Sequence, residues 1–95
     1  MSKGYWIVSI DVTDADKYGE YVREVRPFLE RSKGRFLVRG GAHKVEEGNF
    51  RSRYVVIEFA SYEEALERYN CEEYQTIKKL RASASTADMV IVEGL

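Results

Sequence analysis

Cysteine, histidine and long apolar segments are all scarce in this chain of 95 residues, and each scarcity excludes a class of protein. The single cysteine, Cys71, excludes an internal disulfide bond. The single histidine, His43, has no second histidine or cysteine pair at ligand spacing, so we expect neither a metal site nor a bound cofactor. No apolar run approaches the roughly 18 residues of a membrane-spanning helix, and no signal-peptide segment precedes the first strand pattern. We therefore expect a cytoplasmic protein without a membrane partner.

Neither positively nor negatively charged residues are in large excess. The formal net charge of −1 gives no broad field that would attract nucleic acid. Residues 33–38 resemble the start of an RNA-recognition signature. That signature needs aromatic rings, on which bases stack, where this chain has Arg35, Leu37 and Gly40. We therefore expect no nucleic-acid partner.

The apolar periodicity predicts one domain over residues 1–95, with the order β-α-β-β-α-β. The elements are a strand at 5–12, a helix at 15–31, strands at 35–39 and 53–59, a helix broken in two that ends near Arg81, and a strand at 89–93. We expect Gly34 to adopt a left-handed conformation and Gly40-Gly41 to interrupt the second strand, with extended chain continuing to Val45. The order indicates an α+β, ferredoxin-like fold, in which a four-stranded antiparallel sheet carries its helices on one face.

Each strand has one apolar face, which we expect to lie under the helices. These helix-facing residues are Trp6, Val8, Ile10, Phe36, Val38, Val55, Ile57, Phe59, Val90 and Val92. The other face is charged at its ends but apolar at its centre, where Ile7, Leu37, Val56 and Ile91 lie. Such a patch is uncommon on a monomer, so we expect a homodimer in which two sheets pack face to face.

Several stretches together resemble a known family over nearly the whole chain. They include Gly4-Tyr5-Trp6, Gly34-Arg35-Phe36-Leu37-Val38-Arg39-Gly40-Gly41, Glu73-Tyr74-Gln75 and Val90-Ile91-Val92-Glu93-Gly94. On these residues the chain resembles the domain of unknown function family thirteen-thirty, within the dimeric α+β barrel superfamily. The resemblance implies a ferredoxin-like fold and a homodimeric barrel, and it implies no reaction. The chain departs from the family at Lys33 and at Cys71-Glu72, which leaves any role for a serine at position 71 in doubt.

Polar side chains on the mixed face form the candidate site. We expect Asp11, Arg39 and Glu58 to converge there, with Tyr5 and Tyr54 nearby. One interpretation is a catalytic site, in which Glu58 or Asp11 acts as a base, Arg39 stabilises an anion and His43 carries a proton. The other interpretation is structural, with Arg39 and Glu58 paired between the two sheets of the dimer.

The helices carry further candidates that have simpler structural interpretations. Tyr18, Tyr21, Tyr69 and Tyr74 could line a cleft between helices and sheet, but their helical spacing favours core packing. Arg81 could bind an anion, yet a cation near a helix end also complements the helix dipole.

Three functions remain open at this point. The first is a homodimer that binds a small, partly apolar molecule in a pocket at the barrel or helix–sheet interface. Such a protein could be an isomerase or a cofactor-free oxygenase, by analogy with superfamily relatives. The alternatives are a binding module without catalysis and a purely structural dimer.

Overall fold

The computed structural model describes residues 2–95, and its elements follow the predicted order. The strands are β1 (Gly4–Val12), β2 (Arg35–Arg39), β3 (Arg53–Phe59) and β4 (Ser85–Glu93), and the helices are α1 (Ala15–Arg31), α2 (Tyr62–Asn70) and α3 (Glu72–Ala84). The strands form one antiparallel sheet in the order β2-β3-β1-β4. The predicted α+β, ferredoxin-like fold is therefore confirmed.

Trp6 is the centre of the core between the sheet and the helices. Its ring lies 4.9 Å from those of both Phe59 and Tyr74, measured between centroids. Its indole N–H donates a hydrogen bond of 2.8 Å to the carbonyl oxygen of Ala65. Trp6 thus joins β1 to β3, α2 and α3, and burial of so large a side chain contributes about 3–5 kcal/mol relative to alanine.

All three helices begin at side-chain caps. Asp14 accepts a hydrogen bond from the backbone N–H of Lys17, and Ser61 accepts one from that of Glu64. Cys71 caps α3, because its Sγ lies 3.5 Å from the backbone nitrogen of Tyr74. Each cap satisfies one of the free N–H groups in the first turn and so fixes where the helix starts.

The junction between α3 and β4 differs from prediction. The helix continues past Arg81 to Ala84, and β4 begins immediately at Ser85 rather than at Met89. The carbonyl oxygen of Ala84 accepts hydrogen bonds from the backbone nitrogens of Thr13 (2.8 Å) and Asp14 (3.1 Å). These hydrogen bonds extend α3 to Ala84, and the pairing with β1 extends β4 back to Ser85. The small residues at this junction do not strongly favour either a helix or a strand by themselves.

The faces of β4 are the reverse of those predicted. Ile91 lies opposite Trp6 and Met89 opposite Val8, so these two side chains pack against the core. Val90 and Val92, expected under the helices, lie on the other face and are 53% and 40% exposed. Both sets of alternate residues are apolar, so only the pairing with β1 decides which set is buried.

A bulge at Leu37 also corrects the predicted faces of β2. Phe36 lies opposite Ile57, but the next paired residue is Val38, opposite Val56. Val38 therefore lies on the exposed face, and Arg39, opposite Val55, lies on the helix-covered face.

The interruption of β2 predicted at Gly40-Gly41 begins three residues earlier, at Leu37. Both glycines have positive φ (73° and 99°), the strand ends before them, and residues 40–52 form a loop rather than the extended continuation expected to residue 45.

The turn after α1 uses Lys33, not Gly34, as its left-handed residue, with φ of 60°. Gly34 is needed for a different reason, which is close packing. A Cβ atom at this position would lie 3.1 Å from both the Leu29 and the Phe59 side chains. The absence of a side chain therefore lets the start of β2 approach the core.

The sheet face opposite the helices is apolar, with Ile7 and Val56 on it as predicted, but Val38, Val90 and Val92 lie there and Ile91 does not. Ile7, Val38, Val90 and Val92 lie there with exposed fractions of 42%, 39%, 53% and 40%. We call these four residues the outer patch. The helices formed by residues 2–95 do not include one with the length and apolar character needed to span a membrane.

Candidate functional site

A cavity of about 60 Å³ lies between the helices and the sheet. Strands β1, β2 and β3 form its floor, and α1 and α3 form its roof. Its lining residues are Trp6, Val8, Ile10, Tyr18, Tyr21, Val22, Val25, Arg26, Leu29, Phe36, Arg39, Arg53, Val55, Ile57, Tyr74 and Arg81. Mostly apolar walls with a few convergent polar groups are typical of small-molecule sites.

Arg81 is the most buried charged residue of the site, with 9% of its surface exposed. It follows Tyr74 and Ile77 on the inward face of α3, where steps of three and four residues place all three side chains in line. Its guanidinium carbon lies 5.9 Å from the centre of the Tyr21 ring. Burial lowers the pKa of Arg81, but the phenol groups of Tyr74 and Tyr21 outweigh that effect, so the net pKa is raised and the cation persists.

Two tyrosine hydroxyl groups meet beside Arg81. The oxygens of Tyr21 and Tyr74 lie 2.9 Å apart in a buried hydrogen bond, in which either can be the donor. Burial, followed by the neighbouring Tyr74, raises the pKa of Tyr21 well above its ordinary value, so this hydroxyl keeps its proton at neutral pH. One of the two protons is used within the pair, which leaves the other available to a ligand.

Three more arginines extend from this centre toward the surface. Arg53 is partly buried, its guanidinium carbon lies 6.0 Å from the Tyr18 ring centre, and its Nε is buried without a hydrogen-bond partner among the described residues. Arg39 and Arg26 are exposed, so the cavity reaches the surface between β2 and α1. The guanidinium of Arg39 lies 5.1 Å from the Phe36 ring centre.

The cavity carries an unbalanced positive charge. Four arginines line it, and none of its lining residues within positions 2–95 is an aspartate or glutamate. Among residues 2–95, the ion pairs do not include Arg26, Arg39, Arg53 or Arg81. A partly buried cation without a counter-charge is unfavourable, so this arrangement favours an anionic ligand.

The site predicted from the sequence does not form one cluster. Arg39 lies on the helix-covered face, whereas Asp11 and Glu58 lie on the other face. Glu58 is opposite Tyr5, six positions from Asp11 along β1, so the two carboxylates are separated by about 20 Å. The predicted pair of Arg39 and Glu58 is therefore wrong, because the bulge at Leu37 turns Arg39 to the face opposite Glu58, and the β2 residue that pairs with Glu58 is Arg35.

Asp11 is already engaged by its neighbours. Its carboxylate accepts hydrogen bonds from the backbone N–H and the hydroxyl of Ser52, both 2.9 Å, and pairs with Arg51 at 3.0 Å. The bonds from Ser52, and after them the bond from Arg51, lower the pKa of Asp11. Asp11 thus attaches the end of the 40–52 loop to β1.

Glu58 and His43 occupy separate positions on the outer side of the sheet. Glu58 accepts a 3.2 Å hydrogen bond from the hydroxyl of Tyr5. His43 is exposed on the loop, its ring packs edge-on against Tyr54 at 4.7 Å, and its Nδ1 lies 3.1 Å from the carbonyl oxygen of Gly41. Whether Glu58, Asp11, Arg39 or His43 acts in a reaction stays a prediction.

The residues that sequence reasoning undervalued are Arg81 and the tyrosines. Tyr18, Tyr21 and Tyr74 are buried in the core and also line the cavity. Arg81 is not a solvated cation at a helix end, although it lies in the last turn of α3. The usable signal was its spacing of seven residues from Tyr74, which places both on the inward face of one helix.

Candidate metal ligands do not gather at any point in the described chain. Within residues 2–95, no three histidine, cysteine, aspartate or glutamate side chains lie close enough together to hold a metal ion. The cavity instead offers guanidinium and phenol donors, which bind anions.

Comparison with known sequences gives one family and no characterised relative. The family model described as "Domain of unknown function (DUF1330)" matches residues 3–95. No curated protein matches the chain.

Several solved structures share the fold at low sequence identity. A protein of unknown function from Rhodopseudomonas palustris superposes with a TM-score of 0.79 at 16% identity, covering 99% of this chain and 83% of that one. SnoaB, a cofactor-independent oxygenase from Streptomyces nogalater, superposes with a TM-score of 0.67 at 12% identity, covering 97% and 92%. A Nitrosomonas europaea protein, provisionally described as an antibiotic biosynthesis monooxygenase, gives 0.56 at 18% identity, covering 100% and 93%. At these identities the similarity concerns the fold alone.

Proposed function

This chain belongs to the family described as domain of unknown function (DUF1330), and we propose that it is a homodimer that binds a small, partly apolar, oxygen-bearing molecule in the helix–sheet cavity. One observation carries the proposal: aromatic walls surround a buried cation, Arg81, and the lining residues within positions 2–95 include no carboxylate to balance it. In a purely structural core, side chains would ordinarily fill a cavity of this size, and a buried cation would have a carboxylate partner. The purely structural dimer is therefore the least favoured function.

The homodimer is supported by the outer patch. Its four apolar side chains are all more than a third exposed, and they lie on one face of the sheet, on β1 and the two edge strands β2 and β4. A second copy packed sheet to sheet would cover them, as in aligned sheet packings. The cytoplasmic location stays a prediction from the sequence.

The lining residues favour a binding protein without catalytic turnover over an enzyme. The cavity contains no histidine or carboxylate among the described residues that line it, so it offers no ordinary base for proton abstraction. This composition disfavours an isomerase that would act within the cavity. Its arginines and phenols instead bind negative charge and stabilise it.

A cofactor-independent oxygenase is the second candidate, favoured by the shared fold with the Streptomyces nogalater enzyme. Such a reaction needs a substrate that carries its own electron-rich anion. Arg81 and the hydroxyl pair of Tyr21 and Tyr74 could stabilise that anion without removing a proton themselves.

Trp6 gives a direct test, because it is the only tryptophan and it lines the cavity. We expect saturable changes in its fluorescence when benzoate, catechol or benzyl alcohol is titrated into the protein. Val22→Phe fills the wall of the cavity and should weaken the response at least tenfold. Val45→Phe, a matched change on the exposed loop, should not alter it.

Oxygen uptake with each bound compound then separates the two candidates. Saturable binding without oxygen consumption supports the binding module, and consumption that Val22→Phe abolishes supports the oxygenase. Absence of any saturable response, or a response that Val22→Phe leaves unchanged, would contradict the cavity as the site.

A further inference from the structure

The inner end of the cavity has the dimensions and donors of a site for one small head group. The whole cavity has a volume of about 60 Å³, equal to that of about two water molecules, so only a small head group fits beyond the exposed rim. Arg81 presents a planar, forked set of N–H donors, and the pair formed by Tyr21 and Tyr74 has one hydroxyl proton to spare. A group with two oxygens in one plane matches these donors in both number and shape.

We propose that the ligand enters as a monocarboxylate, whose head group binds Arg81 and the hydroxyl pair of Tyr21 and Tyr74. This inference rests on the proposed function and names the chemical class of its ligand. A guanidinium fork can also hold two oxygens of a phosphate or sulfate group, but such a group carries more oxygens than Arg81 and the one spare hydroxyl proton can satisfy. A neutral amide would leave the charge of Arg81 unbalanced.

The outer arginines give the cavity an entrance for anions. Arg26 and Arg39 are exposed at the rim, Arg53 is half-buried and Arg81 is buried, so positive charge continues from the surface to the inner end. Such a path raises the local concentration of an anion and its rate of entry. The apolar body of the ligand then lies against Val22 and Phe36, with its carboxylate innermost.

Matched ligands of equal shape test the head group. Benzoate, benzamide and benzylamine are titrated at pH 7 with Trp6 fluorescence and calorimetry, and butyrate, butyramide and butylamine repeat the series with a smaller body. Each carboxylate is expected to bind at least tenfold more tightly than its amide, and the amines are expected not to bind. Inorganic phosphate at equal concentration should not displace the carboxylates.

Single substitutions then locate the head group. Arg81→Lys keeps the charge but loses the planar fork, and it should weaken the carboxylates at least tenfold while changing amide affinity less than twofold. Tyr21→Phe should lower the ratio of carboxylate to amide affinity about threefold.

A substitution at the exposed rim tests the entrance. Arg39→Gln does not put folding at risk there, and it should slow carboxylate association and make the association rate less dependent on salt concentration. Arg23→Gln, an exposed arginine of α1 outside the cavity lining, is the control and should change nothing.

The outcomes separate the two proposals. Equal affinity for carboxylate and amide, or tighter binding of phosphate or the amine, overturns the monocarboxylate while leaving the cavity as a binding site. If none of these compounds binds the wild-type chain, the proposed function fails and the monocarboxylate fails with it. If carboxylates bind selectively but Arg81→Lys and Tyr21→Phe leave both affinities unchanged, the head group lies elsewhere and the assignment is wrong.

Discussion

Phe36 and Val38 lie on opposite faces of the sheet, although they are two residues apart on the same strand. Phe36 pairs with Ile57 and packs against the core, whereas Val38 pairs with Val56 and is exposed. The extra residue between them, Leu37, inverts the alternation for the rest of β2. One consequence is that Arg39 lies at the cavity rim instead of on the outer face.

The bulge predicts different responses to two identical substitutions. Phe36→Lys places a charge at the edge of the core and should lower the free energy of unfolding by about 3 kcal/mol or more. Val38→Lys should lower it by less than about 1 kcal/mol, because the new side chain points to solvent. Chemical denaturation measures both losses of unfolding free energy in a chain that also carries Val90→Lys. This change is expected to make the chain a single subunit, so that dissociation of a dimer does not contribute to the measured value. Equal losses from the two substitutions would show that Phe36 and Val38 share a face.

The elements themselves were predictable because their signals are local. The apolar periodicity predicts α1, β2 and β3 at the bounds that the structure has. The faces of β2 and β4 were not predictable, since both alternate sets of residues are apolar and only distant partners on β1 and β3 choose between them. The convergence of Arg39 with Asp11 and Glu58 was mispredicted for the same reason, because Arg39 reaches the cavity only through a bulge in that pairing.

Assembly is expected to depend on the outer patch. Sedimentation at micromolar concentration should show a dimer for the wild-type chain, and Val90→Lys should convert it to a folded single subunit, because a charge cannot be buried between two sheets without a partner. Val45→Lys makes the same change on the exposed loop and should leave the dimer intact. A wild-type chain that sediments as a single subunit would reject the homodimer without affecting the cavity.

The attachment of the 40–52 loop is expected to depend on pH through Asp11. Its pKa is lowered from an ordinary value of 3.8, so its bonds to Ser52 and Arg51 stabilise the fold above that value. The stabilisation is lost as the pH falls through the lowered pKa of the folded state. Asp11→Asn should therefore lower the melting temperature at pH 7 and have progressively less effect below about pH 4. Glu47→Gln, on the same loop, is the control. An effect of Asp11→Asn that is the same at pH 7 and pH 3 would argue against this role.

The remaining question is which of the two sides of the sheet carries the function, and Glu58 tests it. Glu58 is a predicted base on the outer face, where it accepts a hydrogen bond from Tyr5, while Arg81 lies in the cavity on the helix-covered side of the sheet. If the cavity is the site, Glu58→Gln should change ligand affinity less than twofold, whereas Arg81→Lys should change it at least tenfold. The two substitutions also differ in a second measurement: only Glu58→Gln lies at the sheet face where the dimer is expected, so only it should alter sedimentation. A loss of binding or turnover with Glu58→Gln in a chain that remains dimeric would restore the outer face as the site and make the cavity a structural feature.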